Sequence, residues 1–365
     1  MRIIKKFLLF LLFVLVVSEA VGRKIVIADS SDKTPVVGAS IIDHTGLITG
    51  FTDNSGSINL ENKDFPVTIR SMGYESGNIN HDLDTLFLVP ATYSLNEVVI
   101  SPGERPVTRI VTYAREYCSG ATLADTLQLY SEYMLEYFFA DGKVKGFKKS
   151  HESANVLAVR RYARISTPEI ADSIFRPKEG DDVTFLSFMT NITFVPYDKN
   201  VAPAPLAEGA KGVAVEGKYG VLTVFQYKND LYIQSTDVLA EHKDHHWSPW
   251  FFKMLGLTMD VVKCDWSLVY KQNDRHVYDI NDFLFGRYNL QVIGKGKMLK
   301  FILGVKEGID MNCLIEQYPV AIEHLTVEEY NECKKDYYKR TAPFEIPANT
   351  EPLPESIESL LRRFK

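Results

Sequence analysis

Closely spaced cysteines are missing from this 365-residue sequence. The four cysteines lack the short paired spacing that marks zinc and redox sites; they are Cys118, Cys264, Cys313 and Cys333. Ligation of a metal by cysteine is therefore not expected. Four cysteines allow three disulfide pairings, and the sequence does not choose between these pairings and buried free thiols.

An excess of positive charge is also missing. Lys and Arg number 41 against 47 Asp and Glu, which gives a formal net charge of -6 at pH 7. No basic block lies outside the first few residues. Because nucleic-acid binding depends on Lys and Arg contacts with phosphates, nucleic acid is not expected as a partner.

Long hydrophobic runs are scarce, and one of them lies at the start of the chain. Three basic residues precede the run FLLFLLFVLVV at positions 7–17, and the small-x-small sequence SEA follows at positions 18–20. The run is too short to cross a bilayer, and no cysteine follows it for lipid attachment. We predict that residues 1–20 are a signal peptide and that the protein is exported to the periplasm or outer membrane. An uncleaved N-terminal anchor is the alternative.

The short motifs of common enzyme classes are absent. The sequence has no H-E-x-x-H of zinc peptidases, no G-x-S-x-G of serine hydrolases and no G-x-x-x-x-G-K-[ST] of phosphate-binding loops. We therefore assign no catalytic residue and no cofactor, and we expect a protein that is not an enzyme.

Aromatic residues are abundant, with 19 Tyr and 21 Phe, and such residues favour strands. Behind the leader, alternating apolar runs recur with turn signals between them, near residues 24–28, 35–42, 47–51, 57–60, 65–71 and 86–89. The sequence DNSG from Asp53 to Gly56 predicts a hairpin turn, because Asp can bond the backbone ahead of it and Gly tolerates positive φ. Short strands at this spacing predict a β-sandwich.

Three motifs in this region resemble those of the carboxypeptidase regulatory-like domain. They are PVxGAxI from Pro35, TDxxG from Thr52 to Gly56 and IxxxGY from Ile69 to Tyr74, and the segment LNEVVI from Leu95 matches the end of the module. The resemblance implies a transthyretin-like β-sandwich over residues 21–101 in an exported, Bacteroidetes-type envelope protein. It implies no peptidase chemistry, because in the enzymes this module accompanies the catalytic domain.

The remaining chain predicts a larger and mainly antiparallel domain. Residues 102–121 predict a connector helix, with Ile110, Tyr113, Ala114 and Tyr117 on one face. Residues 122–340 predict a curved-sheet α+β domain. Residues 341–365 predict a proline-containing linker and a short amphipathic helix.

Local signals refine this picture of the second domain. Residues 127–139 alternate before the turn sequence ADGK, and residues 221–235 predict two strands joined through Lys228, Asn229 and Asp230. Thr326 and Glu329 form a capping-box sequence ahead of a helix that we predict to run to about Arg340. The protein is therefore predicted to be mainly β, with a sandwich followed by a curved sheet.

Two neighbouring clusters are candidate sites. His242, His245 and His246 place three imidazoles close enough in sequence to hold Zn²⁺ or Cu²⁺. A polar loop is the favoured alternative, since no distant ligand or base is identified. The aromatic residues just after them could bind a ligand or partner if exposed, and burial is the favoured alternative; they are Trp247, Trp250, Phe251 and Phe252.

Three functions are compatible with these sequence patterns. The first is a non-enzymatic envelope protein that binds an apolar ligand or another envelope protein, with peripheral outer-membrane association; curved sheets of outer-membrane lipoprotein carriers are the architectural analogy. The second is a metal-dependent hydrolase that uses the three imidazoles. The third is a small outer-membrane barrel, which the proline-rich loop, the helices and the charged strand positions disfavour.

Overall fold

The computed structural model describes most of the chain, in a series of segments separated by gaps. These segments are residues 23–53, 55–71, 73–81, 83–91, 104–121, 126–140, 144, 155–166, 173–175, 213–217, 220–227, 230–237, 256, 258–271, 280–297, 308–336 and 339–364. The fold is mainly β, as the sequence predicts. The chain divides into two compact units, the first comprising Met1–Ala91 with Pro354–Ile357 and the second Thr92–Leu353 with Glu358–Lys365.

The first unit contains two small sheets. One sheet has the strand order β4–β1–β7, and the other has the order β3–β2–β5–β6. The pairing of β1 with β7 is parallel, and the other described pairings in the two sheets are antiparallel. The strands are β1 (Arg23–Asp29), β2 (Ser40–Asp43), β3 (Ile48–Phe51), β4 (Ser57–Leu60), β5 (Val67–Arg70), β6 (Gly77–Ile79) and β7 (Thr85–Leu88).

The two sheets share one hydrophobic core. Ile25 and Ile27 of β1 belong to the same buried cluster as Ile41 of β2 and Ile69 of β5. Burial of these side chains supplies the main favourable free energy for joining the layers. The unit is thus a two-layered β structure, which is the arrangement that the alternating runs of residues 24–89 predict.

Four turns of this unit use the same local device. In each, an aspartate carboxylate accepts hydrogen bonds from the backbone N–H and the hydroxyl of the Ser or Thr two residues later, at 2.5–2.9 Å. The side chain thereby satisfies donors that have no partner in a strand. The pairs are Asp29 with Ser31, Asp32 with Thr34, Asp43 with Thr45, and Asp53 with Ser55.

The DNSG sequence forms a turn, but the prediction of a hairpin there was wrong. Strand β3 before it pairs with β2, whereas β4 after it pairs with β1 in the other sheet. The Gly56 N–H donates to the Asp53 carbonyl at 2.8 Å, and Gly56 has a φ of 69°. A Cβ at Gly56 would lie 2.5 Å from the Ile27 carbonyl oxygen. The turn is therefore a corner between layers, and only a glycine fits it.

The second unit contains one ten-stranded antiparallel sheet. Its order is β11–β10–β9–β8–β17–β16–β15–β14–β13–β12. The strands are β8 (Val107–Ala121), β9 (Thr126–Ala140), β10 (Asn155–Ser166), β11 (Ser173–Phe175), β12 (Val213–Gly217), β13 (Gly220–Tyr227), β14 (Asp230–Asp237), β15 (Thr258–Lys271), β16 (Phe283–Lys295) and β17 (Ile309–Leu325). Strands that follow one another in sequence are neighbours at most positions, and the first and last, β8 and β17, are paired in the middle. The order is open, because the described end strands β11 and β12 do not pair with each other.

The prediction of a connector helix over residues 102–121 was wrong, since most of this segment is strand β8. Its side chains are mainly buried on both faces of the sheet, so the apolar pattern does not show the strict alternation of a half-exposed strand. Gly120 does not end a helix. The absence of a side chain at Gly120 allows strand β17 to approach closely, because a Cβ there would overlap the Asp310 carbonyl oxygen.

Several local predictions agree with the structure. Strands β13 and β14 form a hairpin in which Tyr227 lies opposite Asp230. Helix α1 (Val327–Lys335) begins with a capping box in which the Glu329 N–H donates to Thr326 Oγ1 at 3.2 Å and the Thr326 N–H donates to Glu329 Oε2 at 2.8 Å. This helix ends earlier than predicted.

A second helix, α2 (Glu355–Phe364), lies where the sequence predicts a short amphipathic helix. Ile357 and Leu360 of its predicted apolar face are buried. Within the described residues, neither helix is long and apolar enough to span a membrane.

Candidate functional site

One face of the central sheet carries a row of alternating charges. Arg115 of β8 lies between Glu316 of β17 and Glu132 of β9 in the pairing register. Arg287 lies beyond Glu316, and Arg160 lies beyond Glu132. Directly opposed residues of antiparallel strands project on the same face, so these five side chains form a charged row across five strands.

The pair of Arg115 and Glu316 is the most enclosed part of this row. The Arg115 Nε donates to Glu316 Oε2 at 2.7 Å, and both side chains are buried. Burial acts to lower the pKa of Arg115, but the Glu316 carboxylate and the neighbouring tyrosines together more than offset it, so the pKa is raised. Arg115 thus stays charged inside the sheet.

Tyrosine hydroxyls hold the next carboxylate of the row. Tyr113 donates to Glu132 Oε1 at 2.7 Å, and Tyr130 donates to the same oxygen at 3.2 Å. Burial, together with the charge of Glu132, raises the pKa of both tyrosines. Arg160 lies 3.8 Å from the other Glu132 oxygen. The hydroxyls therefore remain protonated donors at neutral pH.

A second buried carboxylate lies farther along the same face. Glu136 Oε1 accepts from Arg109 Nε at 2.5 Å and lies 2.9 Å from Arg340. Asn155 donates to its other oxygen at 3.3 Å. Arg109 also donates to Glu323 at 2.7 Å. Because three donors surround it, the fully buried Glu136 charge is compensated.

The C-terminal segment lies over this charged face. The Tyr330 ring of α1 packs edge-on against Phe138 with centroids 5.3 Å apart. Farther along, the Arg160 guanidinium lies 3.9 Å from the Phe344 ring centroid. Arg115 donates to the carbonyl oxygen of Glu351. The segment therefore covers part of the charged row and contacts two of its members, Arg115 and Arg160.

The opposite face of the same strands, here called the apolar face, is composed mainly of hydrophobic side chains. It extends over six adjacent strands from β10 to β15. The pairing registers place buried aliphatic residues from each strand on it, for example Val159, Leu135, Ile110, Ile315, Leu290 and Leu268. Such a surface suits an apolar molecule or apolar packing.

Gln317 is a polar residue in the middle of the apolar face. Its Nε2 donates to Thr112 Oγ1 at 2.9 Å and to Tyr137 Oη at 3.1 Å. Its Oε1 is buried, and no group of the described segments donates to it. A buried acceptor without a donor is rare and costs about 1–3 kcal/mol, so it calls for an explanation, such as a water, an ion or a ligand that supplies the donor.

A second polar group on the apolar face combines Glu116 and Cys118 of β8 with Cys313 of β17. The Cys118 Sγ lies opposite Cys313 in the register and donates to Glu116 Oε1 at 3.2 Å. Tyr133 donates to Glu116 Oε2 at 3.1 Å. Burial raises the pKa of both thiols, so both are protonated at neutral pH. We call these four side chains the Glu116 cluster.

The site residues predicted from sequence lie outside the described residues. This holds for His242, His245 and His246 and for the aromatic patch of Trp247, Trp250, Phe251 and Phe252. The imidazole metal site and the aromatic ligand patch therefore stay predictions.

Sequence reasoning missed the buried polar residues of the sheet. Glu116 and Arg115 lie in the segment that was predicted to be a helix, where a charged residue suggests a solvated face. The charges inside the tyrosine-rich runs of β8, β9 and β17 were the available signal, because a charge in a two-face-buried strand needs a partner. The sequence spacing of the cysteines does not indicate that Cys118 and Cys313 are cross-strand neighbours.

Comparison with known proteins gives little further information. No protein-family model matches the chain, and no curated protein matches it. Among solved structures, a structure of lipovitellin that concerns lipid–protein interactions is similar over 70% of this chain and 28% of that chain, with 11% sequence identity and a TM-score of 0.31. The chain thus spans less than a third of the lipovitellin chain. A similarity at this TM-score assigns neither a fold nor a ligand.

Proposed function

We propose that the protein is a non-enzymatic cell-envelope protein whose ten-stranded sheet binds an apolar ligand. The observation that carries the proposal is the apolar face with the unmatched acceptor of Gln317 at its centre. Ligand sites in proteins are mostly apolar and contain a few polar groups that orient the ligand. The apolar face has this composition.

The Gln317 acceptor restricts the chemistry of the ligand. Its amide nitrogen is already engaged by Thr112 and Tyr137, so the amide is held with Oε1 as the available group. A matching ligand has an apolar body and one hydrogen-bond donor, such as a hydroxyl. We infer a long-chain alcohol or a hydroxylated lipid as the ligand class.

The envelope setting rests on the sequence of the N-terminal part. The leader at residues 1–20 and the resemblance of residues 21–101 to the carboxypeptidase regulatory-like domain both support export to the periplasm or outer membrane. Peripheral association with the outer membrane accords with an apolar cargo. Cell fractionation tests this part: recovery of the protein in the cytoplasm, with the leader intact, contradicts it.

Binding can be measured with a matched pair of ligands. The purified protein is titrated with a fluorescent long-chain alcohol and with the same molecule lacking the hydroxyl. We expect the alcohol to bind more tightly, and we expect Gln317→Leu to reduce that preference by about 2–10-fold, the equivalent of one hydrogen bond. The affinity for the hydrocarbon should change little.

The control is Gln291→Leu. Gln291 lies on β16 on the charged face, where its amide donates to Asp310 at 3.0 Å. The Gln291→Leu substitution makes the same chemical change away from the apolar face, so both ligands should bind to this variant as they do to the unmodified protein. Failure of both ligands to bind the unmodified protein rejects the apolar-ligand proposal and favours another envelope protein as the partner.

A further inference from the structure

Three side chains that are common metal ligands converge in the Glu116 cluster. Glu116, Cys118 and Cys313 each offer one ligand atom, and these atoms all lie within 4.8 Å of one another. Cys118 and Cys313 are far apart in sequence, but antiparallel pairing of β8 with β17 places them directly opposite each other. The convergence is therefore built by the central pairing of the sheet.

The cluster lies in an environment that does not favour these groups for packing alone. Glu116 is 4% exposed, Cys118 is 0% exposed and Cys313 is 2% exposed. Burying a carboxylate on an apolar face costs free energy unless charge or hydrogen bonds compensate it. Tyr133 donates a hydrogen bond to one oxygen, and the Cys118 thiol, a weak donor, contacts the other. A cation bound by the three ligand atoms would place a positive charge directly beside the carboxylate.

We propose that Glu116, Cys118 and Cys313 bind one thiophilic metal ion, Zn²⁺. Thiolate sulfur selects Zn²⁺ among the common divalent ions, and a carboxylate oxygen is an accepted third ligand. Atoms bound to one tetrahedral zinc lie about 3.5–3.8 Å apart, given Zn–S of about 2.3 Å and Zn–O of about 2.1 Å. The three ligand atoms, which all lie within 4.8 Å of one another, are close to this spacing.

The binding step balances in charge and protons. Both thiols lose a proton to solvent as their sulfurs bind the ion, and Glu116 binds as a carboxylate. The three ligands and Zn²⁺ then carry one net negative charge. Tyr133 keeps its hydrogen bond to the second Glu116 oxygen and orients the ligand, as outer-shell partners do. A fourth ligand comes from outside these three residues.

A disulfide between Cys118 and Cys313 is the competing use of the same sulfurs. Cross-strand neighbours meet the Cα separation that a disulfide needs. A disulfide, however, gives no role to the Glu116 carboxylate, which lies 3.2 Å from the Cys118 sulfur and is held by Tyr133. The metal site accounts for all three ligand groups, so the geometry favours it.

The experiment uses the full mature chain, reduced and freed of metal by a chelator. Co²⁺ serves as a spectroscopic substitute, because thiolate-bound Co²⁺ shows intense charge-transfer absorption. We expect one equivalent of Co²⁺ to produce this absorption in the unmodified protein and Zn²⁺ to displace it. Metal analysis after Zn²⁺ loading should give one ion per chain, and the bound ion should raise the melting temperature.

Variants separate this site from adventitious binding. Cys118→Ser and Cys313→Ser should abolish the charge-transfer band, and Tyr133→Phe should weaken Zn²⁺ affinity by about 10–100-fold. The matched control is Cys333→Ser. Cys333 is a partly buried thiol on α1 and packs at a different cluster, so its loss should leave the band and the stoichiometry unchanged.

The decisive measurement needs no variant, which protects the test against substitutions that prevent folding. Absence of the charge-transfer band and of bound Zn²⁺ in the reduced, folded, unmodified protein overturns the proposal. If the protein as purified contains a Cys118–Cys313 disulfide and still binds no metal after reduction, the disulfide is the correct assignment. Failure of the apolar-ligand titration leaves this test unaffected, because the two measurements use different groups.

Discussion

At the scale of single residues, the second unit depends on charges placed inside a sheet. Arg115, Glu316 and Glu136 are buried, and each has at least one charged partner within 3 Å. A buried ion pair often contributes little more than apolar residues of the same size, because desolvation offsets the attraction. Removing one partner alone is far more costly, since the other charge is left buried and uncompensated.

We expect Glu316→Gln to lower the free energy of unfolding by about 3–5 kcal/mol. The substitution keeps the shape of the side chain but leaves the Arg115 guanidinium without its 2.7 Å carboxylate partner. Urea denaturation followed by circular dichroism measures the change.

The control for this prediction is Glu358→Gln on α2. Glu358 forms a solvent-exposed i, i+4 pair with Arg362, and exposed pairs of this kind contribute about 0.3–0.5 kcal/mol. Equal effects of the two substitutions would show that the Arg115–Glu316 pair is solvated rather than enclosed.

At the scale of elements, the start of helix α1 is predicted by a local capping motif in the sequence. The reciprocal hydrogen bonds of Thr326 and Glu329 satisfy backbone donors that the first turn leaves unpaired. Arg105 adds a contact to Glu329 at 2.7 Å. Docking of Tyr330 against Phe138 then connects this helix end with the sheet.

We expect Thr326→Ala to destabilise the protein by about 0.5–2 kcal/mol through loss of the cap. Thr326→Ser keeps the capping oxygen and should cost much less. Thermal denaturation of the two variants compares them directly, and equal losses would assign the effect to packing of the threonine methyl group instead of capping.

The same cap makes stability depend on pH. The backbone hydrogen bond from Thr326 and the charge of Arg105 hold the Glu329 pKa below its ordinary value of 4.5. A carboxyl with a lowered pKa contributes stability above its unfolded value and loses that contribution as pH falls through the folded value.

The difference in unfolding free energy between the unmodified protein and Glu329→Gln should therefore be largest at neutral pH. It should decrease as the pH falls below the ordinary glutamate pKa of 4.5. Urea midpoints across this range measure it. Glu328→Gln, which leaves the capping box intact, should show a weaker pH dependence, and a constant difference for Glu329→Gln would contradict the prediction.

Elements also show how far sequence patterns reach. The hairpin of β13 and β14 and the capping box depend on residues that are close in sequence, so both were predictable. The apolar pattern of strand β8 favours a helix because a strand buried on both faces loses its alternation, whereas its partners β9 and β17 determine its conformation. The Glu116 cluster could not be predicted from the sequence for the same reason, since only the pairing register of β8 with β17 places Cys118 opposite Cys313.

At the scale of the whole molecule, the pairing of the first and last long strands holds the second unit together. Strand β17 has neighbours on both sides, β8 and β16, and Ile315 at its middle is fully buried. Each half of the sheet is a succession of strands that follow one another in the chain. The two halves meet only through β17 among the described strands.

We expect Ile315→Pro to disrupt the ten-stranded sheet, because proline removes a ladder hydrogen bond and does not fit a central strand. Trypsin should then digest residues 104–336, whereas the seven-stranded first unit, which has its own core, should remain as a protected fragment. Ile315→Val keeps the backbone and should cost only about 0.5–1.5 kcal/mol. An intact sheet in the proline variant would show that the two halves hold together without this strand.

The place of β17 has a consequence for biosynthesis. The ribosome makes β8 before the other strands of this sheet, but β17, which covers its second edge, follows only after the eight described strands β9 to β16. An uncovered edge with unpaired N–H and C=O groups invites pairing with other chains. The growing polypeptide therefore exposes the second edge of β8, with its unpaired backbone groups, until β17 has been made.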